Sequence, residues 1–174
     1  MGNFFNKENI GFSLHKREEL QGGWAHIFAV KFITEHGFSS SKSTNYQFPL
    51  YIYSEDGSRL PNIKKEIFEQ IQQVVGKVSP EEIFDYIYAV LYSPNYREKY
   101  TEFLKNDFPM VPYPKDQEAF KKLVMLGGEL RILHLFESSK INQLITSYPE
   151  DGSNIVEKIS YKDGNVYINE KQYF

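Results

Sequence analysis

The side chains of this 174-residue chain best suited to acid–base or metal chemistry are its four histidines, His15, His26, His36 and His134, and no two of them stand three or four residues apart. A pair of metal ligands on one helix needs that spacing. With no cysteine in the chain, thiolate zinc sites are excluded, and a metal would have to be held by carboxylates that folding brings together. His134, at the end of a helical pattern, reads as a histidine satisfied by its surroundings. No Gly-x-Gly-x-x-Gly, no Gly-x-x-x-x-Gly-Lys-Ser/Thr and no Gly-x-Ser-x-Gly occurs, which removes the glycine-rich phosphate cradles and the hydrolase elbow. Nor is there a Glu-x-Lys or Asp-x-Lys pair, with which many metal-dependent nucleases hold a cation and polarise a water. The residues offer no catalytic constellation, and no cofactor site is expected.

Two weaker groupings remain. His15-Lys16-Arg17, with Lys31, Lys42 and the polar run Ser39 to Asn45, offers cations for phosphates and amide or hydroxyl groups for base edges. Lys16, Arg17, Lys31, Ser41, Lys42, Ser43 and Asn45 are the candidate contacts. Short basic runs are common on ordinary solvated faces, and bare spacing favours that reading. Tyr86, Tyr88, Tyr92, Tyr96 and Tyr100 could stack on bases, but their helical spacing reads as core and interhelix packing. Net charge is −3, which argues against a freestanding nonspecific nucleic-acid binder. The charge is uneven: residues 1–48 carry five Lys or Arg against four Asp or Glu, whereas residues 49–154 carry twelve against sixteen.

The elements that would position these groups can be read from periodicity. Ile10 to His15, Trp24 to Phe32 and Gln47 to Tyr53 alternate as strands, with Trp24, His26, Phe28, Val30 and Phe32 on one face. Ile63, Ile67, Phe68, Ile71, Val74 and Val75 mark a helix closing at Gly76. Ser79, Pro80 and Glu82 form a capping box at the start of the next helix. That helix turns Ile83, Phe84, Ile87, Val90 and Leu91 to the core and Glu81, Asp85 and Tyr92 elsewhere. Ser93-Pro94 starts a third helix, and Asp107 to Pro114 is too proline-rich for helix or central strand. It reads as an extended strap across the helices. Asp116 caps a long helix in which Gly127-Gly128 suggests a close helix contact, and Asp163-Gly164 turns a terminal hairpin. The fold class is therefore α+β: antiparallel strands first, a bundle of about four helices with the strap, then a β-hairpin. The chain divides into a strand-rich part at 1–60, a helical scaffold at 61–146 and the hairpin at 147–174, within one domain or a fragment of one. No stretch approaches about 18 consecutive apolar residues, and Met1 to Phe5 lacks the flank and length of a signal peptide. A cytoplasmic protein without membrane partners is expected.

The stretch from Pro80 to Pro94, with Tyr96-Arg97, Phe103-Leu104-Lys105 and Asp107 to Pro112, resembles the C-terminal specificity domain of single-polypeptide Type I-like (Type ISP) restriction-modification enzymes. Phe48 to Tyr53, Leu126 to Leu130, His134-Leu135 and Val166 to Asn169 extend the resemblance over most of the chain. In that family a nuclease, a helicase-like motor and an adenine-specific methyltransferase precede this domain, which reads the target in double-stranded DNA. The resemblance implies a target-recognition module, non-catalytic by itself, with S-adenosylmethionine used by the parent enzyme and not by this chain. The methyltransferase motifs are absent, and the chain stops where such domains continue, so a fragment is expected. Base reading would fall to the N-terminal strands and the loop Phe38 to Tyr46. The alternative is a docking module for the methyltransferase or motor domains, with the tyrosine-rich helices as its contact surface.

Overall fold

The computed structural model describes residues 2–4, 7–16, 24–37 and 44–174. Among these the chain runs β1 (Gly11–His15), β2 (Ile27–Val30), β3 (Asn45–Pro49), β4 (Tyr51–Tyr53) and β5 (Arg59–Pro61). The helices α1 (Lys65–Val75), α2 (Pro80–Tyr92), α3 (Pro94–Lys99), α4 (Thr101–Leu104) and α5 (Gln117–His134) follow, then a 3-10 turn and the strands β6 (Ser160–Lys162) and β7 (Asn165–Tyr167). This is an α+β fold. It divides into two compact units, Met1–Ser138 and Ser139–Phe174.

In the first unit β1 lies between β2 and β3, antiparallel to both. Leu14 faces Ile27 on one side and Tyr46 on the other, and Phe12 faces Ala29 and Phe48. Directly paired residues share a face, so these six form one apolar surface. Phe12 stacks on Phe84 of α2 with ring centroids 3.9 Å apart, which seats the sheet on that helix. The strand alternation read from sequence is corrected here. Ile27 and Ala29 are the buried residues of β2, together with Val30, while Phe32 lies past the strand's end at 78% exposure. Both alternating sets are apolar, so only the pairing with Leu14 and Phe12 selects the face. The segment expected as one strand from Gln47 to Tyr53 is also broken. Leu50 donates its N–H to Ile10 and accepts from Asn62, so β4 leaves β1 and pairs with β5.

The N-terminus of α2 carries the expected capping box: Ser79 Oγ accepts from the Glu82 N–H at 3.2 Å and Glu82 Oε2 accepts from the Ser79 N–H at 2.7 Å. The helix is buried on nearly every side, not on one face. Asp85, expected to point outward, is 7% exposed and receives two hydrogen bonds from Arg131 of α5, at 2.6 and 3.1 Å. Gly127 makes this approach possible, since a Cβ there would lie 1.9 Å from the Asp85 carbonyl oxygen. A glycine inside a helix costs about 1 kcal/mol relative to alanine; the close packing of α2 on α5 offsets it.

The helix expected after Pro94 is split at Tyr100 into α3 and α4. Thr101 Oγ1 donates to the Arg97 and Glu98 carbonyls, both at 2.8 Å, and such side-chain competition for backbone groups interrupts helices. The strap at 107–114 is extended and is held by phenols: Tyr86 donates to the Pro112 carbonyl and Tyr96 to the Met110 carbonyl, each at 2.9 Å. Two more tyrosines grip β2. Tyr92 donates to the Ile27 carbonyl at 2.7 Å, and the Tyr88 hydroxyl accepts from the Ala29 N–H at 3.2 Å. Tyr86, Tyr88 and Tyr96 are thereby buried, so they offer neither a base-stacking platform nor the docking surface that a tyrosine-rich helix face suggested.

The second unit is organised around Gln172, 1% exposed. Its Oε1 accepts from Asn154 N–H and Asn169 Nδ2, and its Nε2 donates to Asn154 Oδ1 and the Glu150 carbonyl. The turn of the β6–β7 hairpin places Asp163 at φ 52° and Gly164 at φ 86°, the two positive angles of a type I′ turn.

Candidate nucleic-acid interface

The face of the three-stranded sheet turned away from α2 is polar. Ser13 Oγ donates to Asn45 Oδ1 at 2.9 Å, Asn45 Nδ2 donates to Thr34 Oγ1 at 2.9 Å, and Gln47 Nε2 donates to the Phe32 carbonyl at 2.6 Å. This follows from connectivity. The strands β2 and β3 flank β1 and run in the same direction, so the chain between them must travel the length of the sheet. Residues of that crossing, Phe32 and Thr34, use Asn45 and Gln47 as anchors.

The candidate contacts read from sequence separate accordingly. Asn45 is held in the Ser13–Thr34 network. Lys16 pairs with Asp107 at 3.6 Å and lies over the Phe108 ring, 5.7 Å from its centroid. Lys31 pairs with Glu137. Lys31 follows Val30, which is registered opposite Gly11, whereas Lys16 follows His15 at the other end of β1. The structure therefore places Lys16 and Asn45 together at one end of the sheet and Lys31 at the opposite end. Arg17, Ser41, Lys42 and Ser43 lie outside the described residues.

Beside Lys31 is a charged cleft of about 360 Å³ that sequence reading missed, lined among others by Lys7, Glu8, Tyr51, Arg59, Glu81 and Arg131. Arg59 lies over the Tyr51 ring, 4.2 Å from its centroid, and Lys7 lies over Tyr53 at 5.2 Å. Arg59 also reaches the Tyr53 hydroxyl, a contact that raises its pKa. The Tyr51 hydroxyl donates to Glu81 Oε1 at 2.6 Å. Burial, and then this bond to a carboxylate, push the Tyr51 phenol up to about 12. Arg131 is held above its ordinary value by its bonds to Asp85. The only signal available in sequence was Arg59 directly after the turn-forming residues Glu55-Asp56-Gly57-Ser58; nothing there links it to Lys7. On the described residues no three His, Asp or Glu side chains gather to hold a metal ion. His134, read as a satisfied helix-end histidine, lies with Nδ1 2.7 Å from the Tyr88 hydroxyl, and burial lowers its pKa. No described helix is long and apolar enough to cross a membrane.

Comparison with known proteins places this geometry in a family. A search of curated proteins returns no match. Among solved structures, the DrdV–DNA complex determined by cryo-EM matches with a TM-score of 0.61 and 31% identity, over 73% of this chain and 12% of that one. A nuclease-deletion mutant of the Type ISP restriction-modification enzyme LlaGI, in complex with a DNA substrate mimic, matches with a TM-score of 0.67 and 24% identity, over 97% of this chain and 14% of that one. The ATP-dependent Type ISP enzyme LlaBIII bound to DNA gives 0.68 and 21%, over 97% and 11%. At these identities LlaGI and LlaBIII establish likeness of fold. The chain spans only 11% to 14% of the length of these solved relatives. The family model described as the Type ISP C-terminal specificity domain matches residues 1–174, and the chain belongs to that family.

Proposed function

We propose that the chain is the module with which a restriction-modification enzyme recognises its target sequence in duplex DNA, and that it performs no catalytic step itself. Membership of the specificity-domain family along the whole chain is the observation that carries this reading. The likeness to DrdV, solved on DNA, adds to it. In this reading α2, α5 and the strap are a rigid platform for the sheet, and the polar ends and connections of the strands face the duplex. Lys16 would exchange Asp107 for a phosphate. Their side chains are 42% and 55% exposed, and such surface pairs contribute about 0–1 kcal/mol, so the exchange costs little. Ser41, Lys42 and Ser43 would supply base-edge contacts. The methyltransferase and motor domains of a longer cytoplasmic polypeptide would be its partners, with S-adenosylmethionine bound there.

Selection from random duplexes at low salt tests the reading. The chain should enrich one sequence, and replacing Ser41, Lys42 and Ser43 together by alanine should abolish the enrichment with the circular dichroism spectrum unchanged. A chain that enriches no sequence would refute it.

A further inference from the structure

We propose that the cleft formed by Lys7, Lys31 and Arg59 is a phosphate-binding site that anchors one strand of the duplex; the proposal rests on the recognition reading above. The disposition of the charges carries it. Lys31 and Arg131 are matched by Glu137 and Asp85, but Lys7 and Arg59 are held by aromatic faces; among the described residues neither forms an ion pair, and Glu81 acts on Arg59 only through its field. Arg59 gives an N–H to the Tyr53 hydroxyl, but a guanidinium has five N–H donors, and those left over can reach phosphate oxygens. Of the two carboxylates in the lining, Glu81 is engaged by the Tyr51 hydroxyl at 2.6 Å. Glu8 opposes an anion. Two cations held in place by rings, in the lining of a cleft large enough for a phosphate, are a site in a chain whose overall charge is −3.

Position strengthens the case. The cleft lies at the Gly11 end of β1 and Lys16 at the His15 end. Four strand steps separate these ends by about 13 Å, close to the roughly 12 Å width of a B-DNA major groove. In the proposed complex the cleft would hold phosphates on one strand while Lys16, at the other end of β1, would reach those of the other.

Salt dependence of duplex binding reads the site directly. Lys7→Gln with Arg59→Gln should lower the slope of log affinity against log salt by about 1.8, the release of two counterions, with the selected sequence unchanged. Glu8→Gln should tighten binding. An unchanged slope in the double variant overturns the site. A second measurement does not depend on duplex binding: titration with inorganic phosphate, followed by NMR, should shift the Arg59 Nε–H and the backbone amides of residues 7–10, and the double variant should show no shift. Absence of these shifts in the unaltered chain also overturns the site. Shifts with phosphate in a chain that selects no duplex sequence would uphold the anion site and remove the recognition reading.

Discussion

Around Tyr88 polar atoms are few and sit at the ends of side chains, whereas around Gln172 they are the interior itself. Tyr88 is packed by Phe12, Phe84 and Tyr92, with centroids at 6.0, 6.3 and 4.8 Å. Only its hydroxyl needs a partner. Gln172 is enclosed by Asn154, Asn169 and a backbone carbonyl, while Leu144, Ile145, Ile155, Val156 and Ile159 of the same unit stand more than half exposed. The first unit is therefore stabilised chiefly by apolar area removed from water, and its hydrogen bonds select one arrangement of that area. The second has little such area, and at 36 residues it is below the size at which a core alone sustains a fold. Its hydrogen bonds carry the fold, and each is exposed to competition from water once the network loosens.

The contrast can be broken most forcefully at Gly127. Alanine there would drive a methyl group into the Asp85 carbonyl and force α2 from α5, and overpacking of this severity should remove about 3 kcal/mol or more from the urea unfolding of the first unit. Gly128→Ala, whose Cβ would meet Asp85 Oδ2 at 3.1 Å, should cost clearly less; equal losses would mean that the helix contact is not the cause. In the second unit, Gln172→Ala leaves several buried groups unpaired, at about 1–3 kcal/mol. Amide hydrogen exchange should accelerate across residues 150–174 by roughly ten- to a hundredfold, with protection in α2 unchanged. Acceleration in α2 as well would show that the two units unfold as one.

The smallest effect concerns a phenol of the first unit, Tyr51. Tyr51 titrates near 12, above its ordinary 10.0, so its neutral form is favoured in the folded chain. The stability this contributes is complete below about pH 10 and is lost as the pH rises through 12. NMR titration of the Tyr51 ring should place the midpoint there, and Glu81→Gln should move it down while leaving it above 10, because burial is the larger cause. A midpoint unaffected by the substitution would remove Glu81 from the account.

Features set by neighbouring residues were legible in the sequence. Ser79-Pro80 with Glu82, Asp116, Asp163-Gly164 and the proline strap each depend on atoms a few positions apart, and each sits where expected. The Gly127 contact was legible because a glycine inside a helix has few other uses. What escaped depends on distant partners. The buried face of β2 is chosen by β1, the turning-in of Asp85 by Arg131 forty-six positions later, and the splitting of the Gln47 to Tyr53 run by Asn62 and Ile10. The candidate site follows the same division. Lys16 and Lys31 were identifiable as cations, but their carboxylates, Asp107 and Glu137, come from the strap and from beyond α5. Lys7 and Arg59 share a cleft only because Tyr51 and Tyr53 stand side by side in β4 to carry them.

Four tyrosines of α2 and α3 attach β2 and the strap, and every one does so at the main chain: the Ile27, Met110 and Pro112 carbonyls and the Ala29 N–H. Main-chain atoms are the same whatever residue occupies the position. The attachment is therefore indifferent to the side chains it holds, and exposed positions of the strap such as Met110 and Tyr113 can be rewritten for size or charge while its placement on the helices persists. Such a fastening separates what can diverge from what must stay in place.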